Sequence, residues 1–252
     1  VDNQTDFAPI GHIPEVARTF GYFEETYGAL NEAQVGMGES TCSCIDWTTL
    51  GGHDAEPCNG TTPTCALFSV DVLTQMAMER ASSSREAVEL MGRLAVAHGF
   101  YGADSFEGSA ESLLVADPRE GWIFHVLPDP TGASAVWAAQ RVPDEHVAVV
   151  TNSFTIRDVN LTDSATFLGS DLAGLAAAYP SLKKTCPSNE ACDFTRTFGG
   201  GEYDHKYYSG RRMWGMLRLL APDHALDPEY PTTSPQWIPY PATLPASNVS
   251  LQ

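Results

Sequence analysis

The sequence predicts an α+β fold in which antiparallel sheet packs against helices. Three observations support this prediction: strand-like segments near the start of the chain, a helical period between residues 69 and 98, and further strand-like segments between residues 112 and 151. The chain has 252 residues, of which 43% are hydrophobic and 10% aromatic. That composition can bury a substantial core and excludes a generally disordered chain.

The first elements are two strands and an insertion. Residues 20–27 and 34–40 are rich in aromatic, Thr, Val and Gly residues, and residues 28–32 between them resemble a turn. We therefore expect a hairpin or a neighbouring pair of strands. Residues 41–66 follow as a turn-rich insertion that carries four cysteines.

The helical period predicts two helices over residues 69–98. Apolar residues recur on one side of each, at spacings of three and four. Ser83 and Glu86 form a predicted capping box at the start of the second helix, and Gly99 is predicted to end it.

The second half of the chain returns to strands. Four strand-like runs separated by short turns predict an antiparallel meander, at residues 112–117, 121–127, 134–141 and 146–151. Short helices are expected at residues 172–179 and 210–220. The proline-rich tail, residues 228–252, predicts an extended segment that lies over the surface.

The charge of the chain excludes two classes of partner. Its formal net charge is −18. A surplus of this size repels phosphate backbones and anionic lipid surfaces, so we predict no nucleic-acid partner and no binding to a membrane surface. We also predict no membrane span, because no apolar run approaches the roughly 20 residues that a spanning helix needs.

The cysteines and sequons indicate a secretory route. N-x-S/T sequons occur at Asn3, Asn59, Asn160 and Asn248, which makes these four side chains candidate glycosylation sites. An even number of cysteines in loops is typical of disulfides, and disulfides form in oxidising compartments. We therefore predict a protein that is secreted, lumenal or displayed at the cell surface.

The predicted disulfides fall into two groups. Cys186 and Cys192 bracket one short polar loop and are predicted to pair with each other. The remaining cysteines all lie in the insertion and are expected to pair among themselves in an order that the sequence does not define: Cys42, Cys44, Cys58 and Cys65.

A zinc site is the alternative interpretation of these cysteines. Cys42 and Cys44 lack the usual two-residue spacer, and the interval from Cys58 to Cys65 is too wide for a zinc knuckle. Residues 53–56 are the only local cluster of ligand types, and such clusters are usually solvated loops. We therefore predict no metal site.

Two further motifs have ordinary explanations. Cys42 with His53 as its base could form a nucleophilic pair, but the neighbouring cysteines favour a disulfide. Residues 199–201 resemble a phosphate cradle, but no Lys-Ser/Thr pair follows them. We therefore predict no cofactor.

Short segments in a fixed order carry a resemblance to a known family: residues 27–35, 38–42, 79–81, 84–92, 115–122, 136–143, 149–152, 208–214 and 220–222. On these segments, roughly residues 20–245 resemble the dipeptidases of the cysteine N-terminal-nucleophile (Ntn) hydrolases. That family is related to the secernins, penicillin V acylase and bile-salt hydrolase. The resemblance implies a four-layer αββα sandwich, hydrolysis of dipeptides or other short peptides, and no cofactor.

The resemblance also implies a mechanism and a set of site residues. The nucleophile would be a cysteine at the start of the mature chain, with its own α-amino group as base. Asn31 matches the Asn of an Asn-Glu motif that donates to the oxyanion, and Asn152 matches a polar residue near the nucleophile's amino group. Arg211, or Arg212 in the adjacent register, matches a cation that supports the thiolate.

Each of these residues also has an ordinary structural interpretation. Asn31 after Gly28 is typical turn chemistry, Asn152 could be a loop residue, and Arg211 could be a solvated charge on a helix.

The sequence departs from the family pattern at its start. The first residue is Val1, and no segment resembles the opening cysteine strand. We therefore expect residues 1–252 to be a single Ntn-hydrolase-like domain that is incomplete at both ends and inactive by itself. Remaining segments of the same precursor, or further copies of the chain, would be its protein partners.

Two alternatives to a dipeptidase follow. One is a non-catalytic secreted or surface glycoprotein that retains the hydrolase scaffold for assembly. The other is an acylase that cleaves amides other than peptides with the same machinery.

Overall fold

A computed structural model describes residues 10–59, 61, 64–102, 109–200, 208–229 and 240–247. Within these residues the fold is α+β, as predicted, with a seven-stranded antiparallel sheet, a separate two-stranded sheet and helices on both faces of the larger sheet. The strands are β1 (Tyr22–Glu24), β2 (Gly28–Asn31), β3 (Gly36–Cys42), β4 (Ala110–Ala116), β5 (Gly121–Pro128), β6 (Ala135–Val142), β7 (His146–Ala148), β8 (Phe167–Gly169) and β9 (Thr243–Pro245).

The helices of the described residues are mostly short. They are α1 (Val70–Arg80), α2 (Ser84–His98), α3 (Leu172–Ala178), α4 (Phe194–Phe198) and α5 (Tyr208–Leu220), with 3₁₀ turns at Trp47–Leu50 and Pro180–Lys184. The helices predicted from Ser69 to His98, near residue 172 and near residue 210 are therefore confirmed. None of the helices in the described part of the chain is both long enough and apolar enough to cross a bilayer.

The predicted meander is confirmed for three of its four strands. The order of the larger sheet is β1-β2-β3-β4-β5-β6-β8, and β5 pairs with β4 on one side and with β6 on the other along nearly its whole length. The fourth strand does not join them, because β8 occupies the edge of β6 and β7 pairs with β9 instead. The predicted extended tail thus contributes one short strand, while residues 230–239 and 248–252 lie outside the described residues.

The turn predicted at residues 28–32 is wrong for residues 28–31, because these form strand β2, which pairs with both β1 and β3. Glu32 begins the turn that follows this strand. The misleading residue is Gly28. A Cβ on Gly28 would lie 2.5 Å from Cγ of Met78 on α1, and its N–H donates to Oγ1 of Thr74 at 3.1 Å. Glycine is required here for close approach of the helix to the strand rather than for a turn.

Helices α1 and α2 cover one face of the sheet. Ser83 caps α2 by accepting the N–H of Glu86, and Gly99 ends it with φ of +81°. The apolar faces of both helices bury Leu113, Phe124 and other sheet residues in one continuous core. We call this the helical face of the sheet.

The opposite face, the inner face, is covered by less regular structure. Ile123, Leu127 and Val136 of the sheet pack against the segment around Phe154 and against α3 and α4. The Cys186–Cys192 disulfide is confirmed and is buried in this second core. Residues 151–156 cross the inner face without forming a strand or a helix.

The cysteines of the insertion pair only in part as predicted. Cys58 and Cys65 form a disulfide, but Cys42 and Cys44 are free thiols, so the prediction that these two also join disulfides is wrong. Two residues that are two apart on an extended chain have Cα atoms about 6.6 Å apart, close to the upper limit for a disulfide. The Cys42 thiol lies instead 3.2 Å from the carbonyl oxygen of Ser40.

Candidate active site

Asn152 lies at the C-terminal end of β3, where several polar groups converge on it. Its backbone has φ of +57°, in the left-handed region that asparagine tolerates better than most residues. Its N–H donates to Oγ of Ser40 at 2.5 Å, and its Nδ2 donates to the carbonyl oxygen of Thr41 at 2.7 Å. The side chain is therefore fixed relative to the last residues of β3.

Arg212 of α5 completes this cluster. Its Nη2 donates to Oδ1 of Asn152 at 2.7 Å and to the carbonyl oxygen of Thr151 at 3.2 Å. Its Nε donates to the carbonyl oxygen of Tyr208 at 3.0 Å, and the guanidinium stacks 4.0 Å over the ring of the same tyrosine. We call Ser40, Thr41, Asn152 and Arg212 the Asn152 site.

A second set of bonds fastens the backbone of the site to α5. Oγ1 of Thr151 donates to the carbonyl oxygen of Ser209 at 2.9 Å, and Oγ of Ser209 donates to the carbonyl oxygen of Asn152 at 3.1 Å. Ser209 is fully buried. The first turn of α5 and residues 151–152 therefore form one hydrogen-bonded unit that holds Arg212 against Asn152.

Arg211, the first of the two predicted arginines, points elsewhere. Its Nη2 donates to Oε1 of Glu229 at 2.5 Å, and both side chains are exposed. Successive residues of a helix lie about 100° apart around its axis, so Arg211 and Arg212 face different surroundings. The geometry selects Arg212, the alternative register, as the arginine beside Asn152.

Asn31 lies at the opposite end of β3. Its Nδ2 donates to the carbonyl oxygens of Met78 and Ala81, both at 2.9 Å, and its Oδ1 accepts the N–H of Val35 at 2.9 Å. Val35 and Ser40 are five residues apart, which is about 16 Å along a strand.

The contacts of Asn31 favour a structural role over the predicted oxyanion role. Both N–H groups of its amide are already donated to backbone carbonyls in the interior. Its side chain joins the start of β3 to the junction of α1 and α2, and the structure does not bring it to Asn152.

Cys42 does not form the alternative nucleophilic pair with His53. Cys42 is fully buried, and burial raises the pKa of its thiol well above the usual range, with the charge of Glu111 acting in the same direction. A protonated, inaccessible thiol is a poor nucleophile. His53 lies instead in the wall of a cavity of about 710 Å³ beside Cys44, whose pKa burial raises to about 12.

The structure also shows where possible metal ligands and the sequon asparagines lie. Among the described residues, no three His, Cys, Asp or Glu side chains are grouped so that they could hold a metal ion. Oδ1 of Asn59 and of Asn160 accepts the N–H and the hydroxyl of the threonine two residues later. Asn59 is exposed and Asn160 half-buried, while Asn3 and Asn248 lie outside the described residues.

Sequence reasoning missed Ser40, His125 and Ser209. A signal for His125 was present, because it is the polar member of an otherwise apolar strand and shares the parity of Ile123 and Leu127. Ser40 stands at an inward position of β3, two residues before the buried Cys42. Nothing in the local sequence of Ser209 indicated that its hydroxyl binds the Asn152 backbone.

The chemistry of the Asn152 site suits a developing negative charge. A guanidinium stays protonated at any ordinary pH and offers five N–H donors. Within the part of the chain that the structure describes, Nε and Nη2 of Arg212 have acceptors, and the two N–H groups on Nη1 donate to none. The site thus combines a fixed positive charge with an oriented neutral amide.

Comparisons with known proteins agree with the resemblance. The family model for peptidase family C69 matches residues 6–245. A protein of Latilactobacillus sakei named "Probable dipeptidase" is 26% identical over 159 residues, which are 63% of this chain and 30% of that relative. The matched part of the chain therefore spans less than a third of the length of this relative.

Proposed function

The chain belongs to peptidase family C69, and from that membership we propose that the protein of which it is part hydrolyses dipeptides or other short peptides. The observation that carries the proposal is the Asn152 site, where a predicted polar residue and a predicted arginine meet at the end of β3. The ordered segments from residue 27 to residue 222 support the same family.

The proposed nucleophile is a cysteine at the N-terminus of a segment outside this chain. Its α-amino group, with a pKa near 8 when unperturbed, would take the thiol proton. The sulfur would then form a bond to the scissile carbonyl carbon. The peptide nitrogen would leave with that proton, and water would cleave the resulting thioester to release the acid and restore the thiol.

Asn152 and Arg212 would serve this reaction in different ways. Oδ1 of Asn152 is an acceptor held in place by Arg212, and it would orient the α-amino group that acts as base. The guanidinium of Arg212 would lower the free energy of the thiolate through its positive charge. Both roles depend on the hydrogen bond of 2.7 Å between the two side chains.

We extend the proposal to the architecture of the domain. In a four-layer αββα sandwich, the β7–β9 pair would belong to the second sheet and α5 to its outer helical layer. The small core that joins Val149, Met213 and Leu244 supports this assignment, because it links the β7–β9 region to α5. Segments outside the chain would supply further strands of the second sheet.

The proposal is tested on the natural full-length protein. We expect intact-mass analysis and N-terminal sequencing to find a cysteine as the first residue of a mature chain. We also expect a thiol-directed probe to label this residue rapidly and dipeptides to be cleaved. Another residue at that position would remove the mechanism, while the isolated 252-residue chain should cleave nothing and serves as the negative control.

The second candidate function is a non-catalytic secreted glycoprotein with the same scaffold. The two disulfides and the exposed sequon at Asn59 favour passage through the secretory pathway, which suits either function. If this second function is correct, the full-length protein should not cleave dipeptides, and a thiol-directed probe should not label a single site. A panel of dipeptides and acyl amides separates the peptidase from an acylase.

A further inference from the structure

A row of polar side chains crosses the inner face of the sheet beneath the Asn152 site. Ser40 of β3 pairs with Ser112 of β4, and Ser112 pairs with His125 of β5. Ser112 and His125 are fully buried, and Ser40 is half-buried. We call these three residues the polar row.

Ser40 and His125, the two ends of the polar row, support residues 151–156, the Asn152 segment. This segment forms no strand or helix, so its buried N–H groups need acceptors from elsewhere in the fold. Ser40 accepts the N–H of Asn152 at one end, and His125 accepts two N–H groups at the other, from Thr155 at 2.9 Å and from Ile156 at 3.2 Å.

The imidazole of His125 is fixed in orientation and in tautomer. Its ring centroid lies 4.8 Å from that of Phe154 and 6.0 Å from that of Phe194, so aromatic rings pack around it. Because Nε2 accepts two N–H groups, the ring must be neutral with its proton on Nδ1. A proton on Nε2 would face the N–H groups of Thr155 and Ile156, so three donors would meet without an acceptor.

We infer that His125 is a positioning residue for the Asn152 site. By accepting the N–H groups of Thr155 and Ile156 on Nε2, it fixes the segment that holds Asn152 in its left-handed conformation. In that conformation the amide of Asn152 reaches both Thr41 and Arg212. The effect of His125 on catalysis rests on the proposed function, while its effect on the segment does not.

Two variants of the full-length protein test this inference. His125→Gln retains an acceptor near the position of Nε2, and His125→Leu removes it while keeping comparable volume. We expect His125→Leu to lower kcat, per titrated active site, by about 10²-fold with KM changed less than about threefold, because misplacement by 1 Å can cost this much. His125→Gln should retain kcat within about fivefold.

A second measurement does not depend on activity. In wild-type protein, nitrogen NMR of the His125 ring should find the proton on Nδ1 and an unprotonated Nε2. Amide hydrogen exchange at Thr155 and Ile156 should rise by about 10²-fold in His125→Leu and much less in His125→Gln, with β4–β6 still protected in both.

The outcomes separate the two proposals. Equal kcat for both variants, or a wild-type proton on Nε2, would overturn the positioning role. The wild-type ring measurement decides the matter even where His125→Leu fails to fold. Absence of peptide cleavage by the wild-type protein would overturn the proposed function alone, since the exchange and ring measurements would still report on the segment.

Discussion

An asparagine lies beside each end of strand β3, Asn31 as the last residue of β2 and Asn152 in the irregular Asn152 segment. The two asparagines are bound in opposite ways. At the start, Asn31 is nearly fully buried and uses its whole amide on backbone groups of the interior. At the end, Asn152 has a left-handed backbone and an amide bound to a charged side chain from another element. The hydrogen bonds of Asn31 stabilise the fold, while those of Asn152 orient a polar group next to a positive charge.

The comparison teaches that residue type and strand position do not define a role. Both asparagines matched positions of the family pattern, but of these two side chains it is Asn152 that meets a cation in three dimensions. The role of each asparagine depends on its hydrogen-bond partners. Asn31 binds Met78 of α1, 47 residues away in sequence, and Asn152 binds Arg212 of α5, 60 residues away.

The largest expected effect is on catalysis at the end of β3. Asn152→Gly removes the amide, and glycine accepts the left-handed backbone without adding strain. We expect kcat/KM of the full-length peptidase to fall by about 10²–10³-fold, as for other oriented polar groups at a reaction centre. Steady-state kinetics with a dipeptide checks this, with Asn152→Ala as the variant that adds backbone strain.

The effect expected at the start of β3 is on stability. Asn31→Ala leaves two buried carbonyls and one N–H without partners, which should lower the free energy of unfolding by about 2–4 kcal/mol. Urea denaturation of the full-length protein measures this loss, and kcat per folded molecule should stay within about twofold. Unchanged stability together with a kcat lowered by about 10²-fold would instead support the oxyanion role of Asn31.

A smaller effect is expected on how the free energy of unfolding depends on pH, through the buried His125 that supports the Asn152 segment. Burial lowers the pKa of His125 from 6.5 to about 3, against the opposing effect of the Phe124 backbone, so the folded ring is neutral where the unfolded ring is protonated. The unfolded state therefore binds more protons between these values, and stability falls as the pH falls from 6.5 towards 3. The slope from this residue is at most about 1.4 kcal/mol per pH unit.

His125→Gln isolates this contribution, because glutamine does not titrate. Urea unfolding of both proteins between about pH 7 and about pH 4 measures their free energies of unfolding. As the pH falls, the free energy of unfolding of the wild type should decrease relative to that of the variant. Parallel pH profiles for the two proteins would contradict the buried neutral histidine.

Much of the fold was predictable because its signals are local. Periodicity indicated α1 and α2, a capping box and Gly99 bounded α2, and short turns separated the strand-like runs of β4, β5 and β6. The predicted turn at Gly28 failed because its glycine serves a contact with a helix 46 residues away in sequence. The fourth meander strand failed because its partner, β9, comes from the tail.

The site was predictable only in part, for a related reason. Family resemblance pointed to Asn152 and to a pair of adjacent arginines, but it could not choose between Arg211 and Arg212. That choice depends on the angle at which α5 packs, which places one guanidinium on Asn152 and the other on Glu229. The polar row was missed because its members meet only through strand register.

The adjacent arginines offer the most direct test of the claim that the end of β3 is the active site. In the full-length protein, Arg212→Ala should lower kcat/KM by about 10²–10³-fold. Arg211→Ala removes an exposed ion pair with Glu229 and should change kcat/KM less than about twofold. Equal kcat/KM for the two variants, or a greater loss with Arg211→Ala, would contradict the account.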